Sequence, residues 1–187
     1  MTNKEDSLNH LAELTEAPLP LFMQTLPEEN QAELAAFIDD VIDRREAGLD
    51  KLFESMSMMM KFVPNFILHS ITPKYIAPSI AARIAQKLST KQALGVTSGL
   101  PADYIGETAA YMEKHIAAEI LSGIKKNKVE AVLSYIVANH PLKALDISEQ
   151  LDNSLLKLMK SYAASAFPAE ETLSPARRQI LLAIKQA

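Results

Sequence analysis

Apolar side chains recur at helical spacing along nearly the whole chain. After Thr25, the residues Leu34, Ile38, Val41, Leu49, Leu52, Met56, Met59 and Val63 fall on one stripe, which predicts a long amphipathic helix. Thr25 is its expected cap, Glu28 closes a capping box, and Glu28 and Glu29 suit the positive end of the helix dipole. Unbroken, Glu28 to Phe62 would reach about 50 Å at roughly 1.5 Å per residue, so Gly48 is the expected break. Upstream, Ser7 to Leu14 reads as a short helix capped by Ser7, and Pro18 and Pro20 make the connector irregular. Leu19, Leu21 and Phe22 are expected to tuck onto the body.

The middle of the chain is periodic. Cut in blocks of twelve from Ala77, it reads APSIAARIAQKL, STKQALGVTSGL, PADYIGETAAYM, EKHIAAEILSGI and KKNKVEAVLSYI, five blocks without a gap. Apolar or small residues recur within them: Ala81, Ile84, Leu88; Ala93, Val96, Leu100; Ile105, Ala109, Met112; Ala117, Ile120, Leu121, Ile124; Val129, Val132, Leu133, Ile136. Block heads such as Ser89, Pro101, Glu113 and Lys125 are polar or proline. Each block therefore predicts a helix of about two turns and a tight corner, too short to persist alone in water. Such a helix must bury its stripe against neighbouring blocks. Pro141 is expected to end the run. A longer helix is predicted from about Ser148 to Phe167, with Leu151, Leu155, Leu158, Met159 and Tyr162 inward and Pro168 as its stop. The last opens at Ser174 and Pro175, with Ile180, Leu181 and Ile184 inward and Arg177, Arg178 and Lys185 outward.

These blocks are similar to the short-helix repeats of the cytosolic N-terminal domain of MgtE-type magnesium transporters, and to those of the flagellar motor switch protein FliG. The resemblance covers roughly residues 72 to 136 and implies a right-handed superhelix of small helices. It does not carry magnesium sensing with it. Asp103, Glu107, Glu113, Glu119 and Glu130 are the only acids in the blocks, beside seven Lys and Arg. The Glu-His-Pro-Gln signature of the motor protein has a partial echo in Asn139, His140, Pro141 and Leu142. The expected fold is thus all-α: residues 72–187 form a helical-repeat domain with C-terminal capping helices, and residues 1–71 an acidic helical arm, packed as one compact unit.

Charge sharpens that division. Residues 1 to 61 hold 13 acids against 5 bases, and residues 62 to 187 hold 10 against 14. KKNK at Lys125 to Lys128 is the one basic cluster and is expected to open a helix turn facing water, which argues against nucleic acid as a partner. The chain has no cysteine, which excludes disulfides, thiolate metal sites and thiol nucleophiles and fits a reducing cytoplasm. No secretory leader is expected around Lys4, Glu5 and Asp6. The longest uncharged stretches fall short of the roughly 20 apolar residues that cross a bilayer.

Candidate chemistry is sparse. There is no GxSxG, HExxH, P-loop or GxGxxG pattern, and His10, His69, His115 and His140 are scattered. His115 and Glu119 share a helix face but lack a second ligand pair. No catalytic, cofactor or metal residue is predicted, and no cofactor. The most unusual local composition is MSMMMKFVPNFIL. There Met56, Met59, Phe62 and Val63 are expected to continue the buried stripe while Met58 and Met60 flank it. Met56, Met58, Met60, Phe62, Phe66 and Leu68 form the candidate partner or ligand surface, since methionine clusters adapt to varied partners. The expected function is non-enzymatic: a helical-repeat scaffold that holds another protein. The alternative is an apolar ligand or membrane surface bound through the Met-rich segment.

Overall fold

The computed structural model describes Leu11, residues 19–162 and residues 166–187, apart from the side chain of Glu46. The helix expected at Ser7 to Leu14 lies outside the described residues except for Leu11, which is helical and buried. Among the described residues every regular element is a helix: α1 (Leu21–Thr25), α2 (Glu28–Met60), α3 (Asn65–Tyr75), α4 (Pro78–Gln86), α5 (Thr90–Thr97), α6 (Ala102–Ala110), α7 (Lys114–Gly123), α8 (Lys126–Asn139), α9 (Pro141–Ser148), α10 (Asn153–Lys160) and α11 (Pro175–Gln186). A short 3-10 turn spans Glu170–Thr172. Contacts divide the chain into two units, Met1–Leu52 and Phe53–Ala187. The sequence had drawn its boundary after residue 71, whereas this one falls inside α2.

In the first unit, three expectations give way. Thr25 ends α1, its hydroxyl donating to Phe22 O at 2.9 Å, so it does not cap α2. Leu21 and Phe22 stay exposed. Gly48 does not break α2, which runs unbroken for 33 residues. One glycine costs a helix about 1 kcal/mol, too little to interrupt a segment this long.

The second unit carries the periodicity. The residues that cap α4 to α8 are Ala77, Ser89, Pro101, Glu113 and Lys125, so one helix starts in each block of twelve. Local chemistry sets those starts. Pro78 occupies the first turn of α4, where its missing N–H is no loss, and Ser89 and Gln92 form a capping box on α5. The apolar positions singled out in the blocks are all buried or half-buried.

Neighbouring blocks do not simply stack in order. Helices α3 to α9 pack on the next but one, α3 on α5, α5 on α7 and α7 on α9 in one row and α4 on α6 and α6 on α8 in the other; beyond them α9 also meets α8 and α11, and α10 packs on α11. Hydrogen bonds follow the same step. Tyr104 Oη donates to Ile76 O at 2.8 Å, and Thr90 Oγ1 to Glu119 Oε1 at 2.7 Å. Lys128 Nζ caps the end of α5 through Thr97 O and Ser98 O, at 3.0 and 2.8 Å, so this lysine of the KKNK cluster is docked rather than facing water. Close crossings need glycine. A Cβ on Gly106 would lie 2.6 Å from Tyr135 Cδ1 where α6 crosses α8.

Past the blocks, Pro141 starts a helix instead of ending the run, because proline at a first helical position costs no hydrogen bond. The long helix expected from Ser148 begins only at Asn153, where the Asp152 carboxylate accepts from the amides of Ser154 and Leu155. Leu155 and Met159 are buried as expected. Ser174 caps α11, and Leu181 and Ile184 face inward. Arg177, expected outward, is only 8% exposed. Its guanidinium grips Asp146 of α9 with Nε–Oδ1 at 2.8 Å and Nη2–Oδ2 at 2.9 Å, and that carboxylate is what draws it in.

Candidate functional site

Two places in the second unit concentrate polar or exposed chemistry. The first is where α6 meets the corner between α8 and α9. Glu107 Oε2 lies 2.7 Å from His140 Nε2 and accepts from Tyr135 Oη at 2.9 Å. The hydrogen bond from His140 holds the Glu107 carboxyl below the usual glutamate range. Burial pushes the other way, and the Tyr135 hydroxyl adds a further lowering. Tyr135 is raised in turn, chiefly because its hydroxyl donates to that carboxylate. The Glu107 carboxylate thus gathers the imidazole of His140 and the phenols of Tyr135 and Tyr111 around it. Their effect is to tie the α8–α9 corner to α6.

No metal set accompanies them. Among the described residues no three His, Cys, Asp or Glu side chains come together as ligands. His115 Nδ1 sits 3.5 Å from Glu113, and Glu119 is engaged by Thr90. Nor is any helix of the described residues long and apolar enough to cross a membrane.

The second place is the corner from the end of α2 into α3, the Met-rich segment. The helix is turned about one residue from the phase read in the sequence: Phe53 and Ser57 are the buried positions and Met60 is half-buried. Met59, expected in the core, is 69% exposed, and Phe62 is 88% exposed. The misreading came from counting only large apolar residues, when the inward face includes the small Ser57, whose hydroxyl donates to Glu54 O. Of the candidate surface residues, Met58, Phe62 and Phe66 are exposed and Met56 and Met60 half-buried. Leu68 is 3% exposed and faces inward, so it does not belong to that surface. Met58, Met59, Phe62 and Phe66 therefore stand together in sequence and in solvent, and Tyr75 is exposed at the far end of α3.

Beneath the corner are two spaces. An apolar slot of about 50 Å³ lies between the helix rows, lined by residues of α3 to α7 and by Met60. A pocket of about 240 Å³ lies outside it, lined by Met60, Lys61, Val63, Asn65, Leu88 and Lys91 among others. Met60, Leu88 and Val96 line both. Thr72 also lines the slot; it is 3% exposed, and its hydroxyl has no hydrogen-bond partner.

Sequence reasoning missed the charge around this corner, although the signal was present. From Ser55 to Ala102 there is no Asp or Glu, and the five charged residues, Lys61, Lys74, Arg83, Lys87 and Lys91, are all basic. Splitting the count at residue 61 hid this stretch. No family model, no curated protein and no solved structure matches the chain.

Proposed function

We propose that the chain is a non-enzymatic helical-repeat protein that holds another protein, with its short helices arranged as a right-handed superhelix and the corner of Met58, Met59, Phe62 and Phe66 as the contact surface. The next-but-one packing of α3 to α9 supports the superhelical reading, because stacked rows of short helices present a continuous face to a partner. The observation that carries the functional reading is the exposed corner itself. A phenylalanine left 88% in water beside exposed methionines is apolar area that folding has not covered, and methionine repacks easily around a partner. The acid-free stretch from Ser55 to Ala102 selects a partner with an acidic, amphipathic segment. The lack of cysteine accords with the cytoplasm as the setting.

The test is a paired substitution, Met59→Ser with Phe62→Ser. Both side chains are exposed, so the melting temperature should hold while a stoichiometric partner co-purified with the wild-type chain is lost. A wild-type chain that retains no stoichiometric partner, or a double variant that keeps it, contradicts the reading. The second reading, an apolar ligand, is favoured by the slot and its charged outer pocket. Native mass spectrometry separates the two, since a bound lipid adds a few hundred daltons and a protein partner adds thousands.

A further inference from the structure

The slot and the outer pocket are separate from the exposed corner, since Met58, Met59, Phe62 and Phe66 line neither. We propose that together they form a binding site for a single-chain anionic amphiphile, with its tail running through the outer pocket so that only its tip enters the slot, and its carboxylate or phosphate head between Lys61 and Lys91. This rests on the apolar-ligand reading and gives it a site and a ligand class; it is independent of the protein-partner reading, so either can fail without the other.

Four observations carry it. The slot is walled by alanines at positions where packed helices usually place leucine or isoleucine: Ala81, Ala85, Ala93, Ala109 and Ala117 all face it. These small side chains leave the space open. Second, Thr72 holds a buried hydroxyl with no partner on the slot wall, and an orphan polar atom of this kind is costly to keep. Thr72 does not border the outer pocket, so this hydroxyl marks the slot itself, and not the head-group end, as incompletely filled. Third, Met60 stands on the shared wall with Leu88 and Val96. A methionine has three rotatable bonds and a soft thioether, so its swing connects the two spaces. Fourth, Lys61 and Lys91 line the outer pocket without an ion pair among the described residues, beside the amide side chains of Asn65 and Gln92.

Size selects the ligand. The slot alone, at about 50 Å³, is smaller than the roughly 150 Å³ that accepts benzene in an apolar protein cavity. With the outer pocket of about 240 Å³ it takes one alkyl chain and a head, and excludes a two-chain phospholipid. The charge selects an anion, because two lysines and no carboxylate border the pocket.

The methionine methyl groups provide the test. Met60 and Met112 line the slot, whereas Met58 and Met59 do not. The full chain, carbon-13 labelled at its methionine methyls, is titrated with decanoate and, in parallel, with decyl phosphate, decanamide, inorganic phosphate and vesicles of phosphatidylglycerol. Saturable shifts at Met60 and Met112 with decanoate or decyl phosphate, leaving Met58 and Met59 in place, support the site, and the tighter of the two names the head. Lys61→Gln with Lys91→Gln should weaken that binding about tenfold without changing the melting temperature. Ala93→Leu should fill the slot and abolish it; Ala85→Leu, at a half-buried position, serves if Ala93→Leu fails to fold. The proposal is overturned by shifts confined to Met58 and Met59 with amphiphile or vesicles, which is surface adsorption. Equal shifts from inorganic phosphate alone, equal affinity for decanamide, or no shift at Met112 overturn it as well.

Discussion

Replacing Asp146 by asparagine should loosen the C-terminal end of the second unit, and the size of the effect follows from the geometry of its pair with Arg177. The guanidinium is 8% exposed and makes two parallel hydrogen bonds to the carboxylate, at 2.8 and 2.9 Å. Breaking a fully buried pair by removing one partner costs about 3 to 5 kcal/mol, because the remaining charge loses its counter-ion. The Asp146 side chain is 26% exposed, so water reaches one end of the pair and screens part of that cost. Asp146→Asn should therefore destabilise by about 2 to 3 kcal/mol. At roughly 2 to 4 °C per kcal/mol for a chain of this size, the transition should fall by about 5 to 10 °C. Thermal unfolding followed by circular dichroism measures that shift and urea unfolding the free energy, with the transition of residues 53–187 fitted separately because the chain has two units. The double variant Asp146→Leu with Arg177→Met should recover most of the loss, since apolar replacements of a buried pair are often neutral. An Asp146→Asn effect under about 0.5 kcal/mol, equal to that of an ordinary surface change, would refute the idea that this pair clamps α11 to α9.

Three further outcomes are expected. Gly106→Ala should cost about 1 to 3 kcal/mol, as overpacking does, because the new methyl group would sit 2.6 Å from the Tyr135 ring; thermal unfolding reads it. Met59→Ala should change stability by less than about 0.5 kcal/mol, because that side chain is 69% exposed. Met60→Ala should cost about 1 to 2 kcal/mol as a half-buried residue on the slot wall; reversal of that order in urea midpoints would restore the phase first read in the sequence. Finally, Glu107 is lowered from 4.5 chiefly by the His140 hydrogen bond. Its contribution is thus present in full above the ordinary glutamate value and lost as pH falls through the lowered folded value. In His140→Gln that acid-side loss should shrink, which urea midpoints measured from neutrality downward will register.

Much of the second unit was legible in the sequence because its helices are short and separately capped. A two-turn helix leaves little room for error: the head residue and the apolar positions of each block fix both its start and its buried face, as Ser89 with Gln92 and Ala93 shows. The packing partner was not legible. That α6 packs mainly on α4 and α8 depends on corner geometry and on close approaches such as Gly106 against Tyr135. Long-range polar pairs escaped for the same reason. His140 and Arg177 carry no local sign of Glu107 and Asp146, each more than thirty residues away. On α2 the large apolar residues are spread widely enough to define two stripes, and the covered one includes Ser57. The phase could only be settled by what packs there. The Met-rich corner was therefore found by its composition but misread at Met59 and Leu68.

The exposed corner as a docking surface is tested most directly by photo-crosslinking from inside the cell. A photoreactive phenylalanine analogue is placed at position 62, with the same group at position 157, an exposed site on α10, as control. A docking surface at the corner should give one dominant crosslinked protein band from position 62 that is absent from position 157. It should also disappear when Met59 and Phe66 are changed to serine. Equal bands from both positions, no band from position 62, or crosslinking there to lipid alone would contradict the protein-holding role.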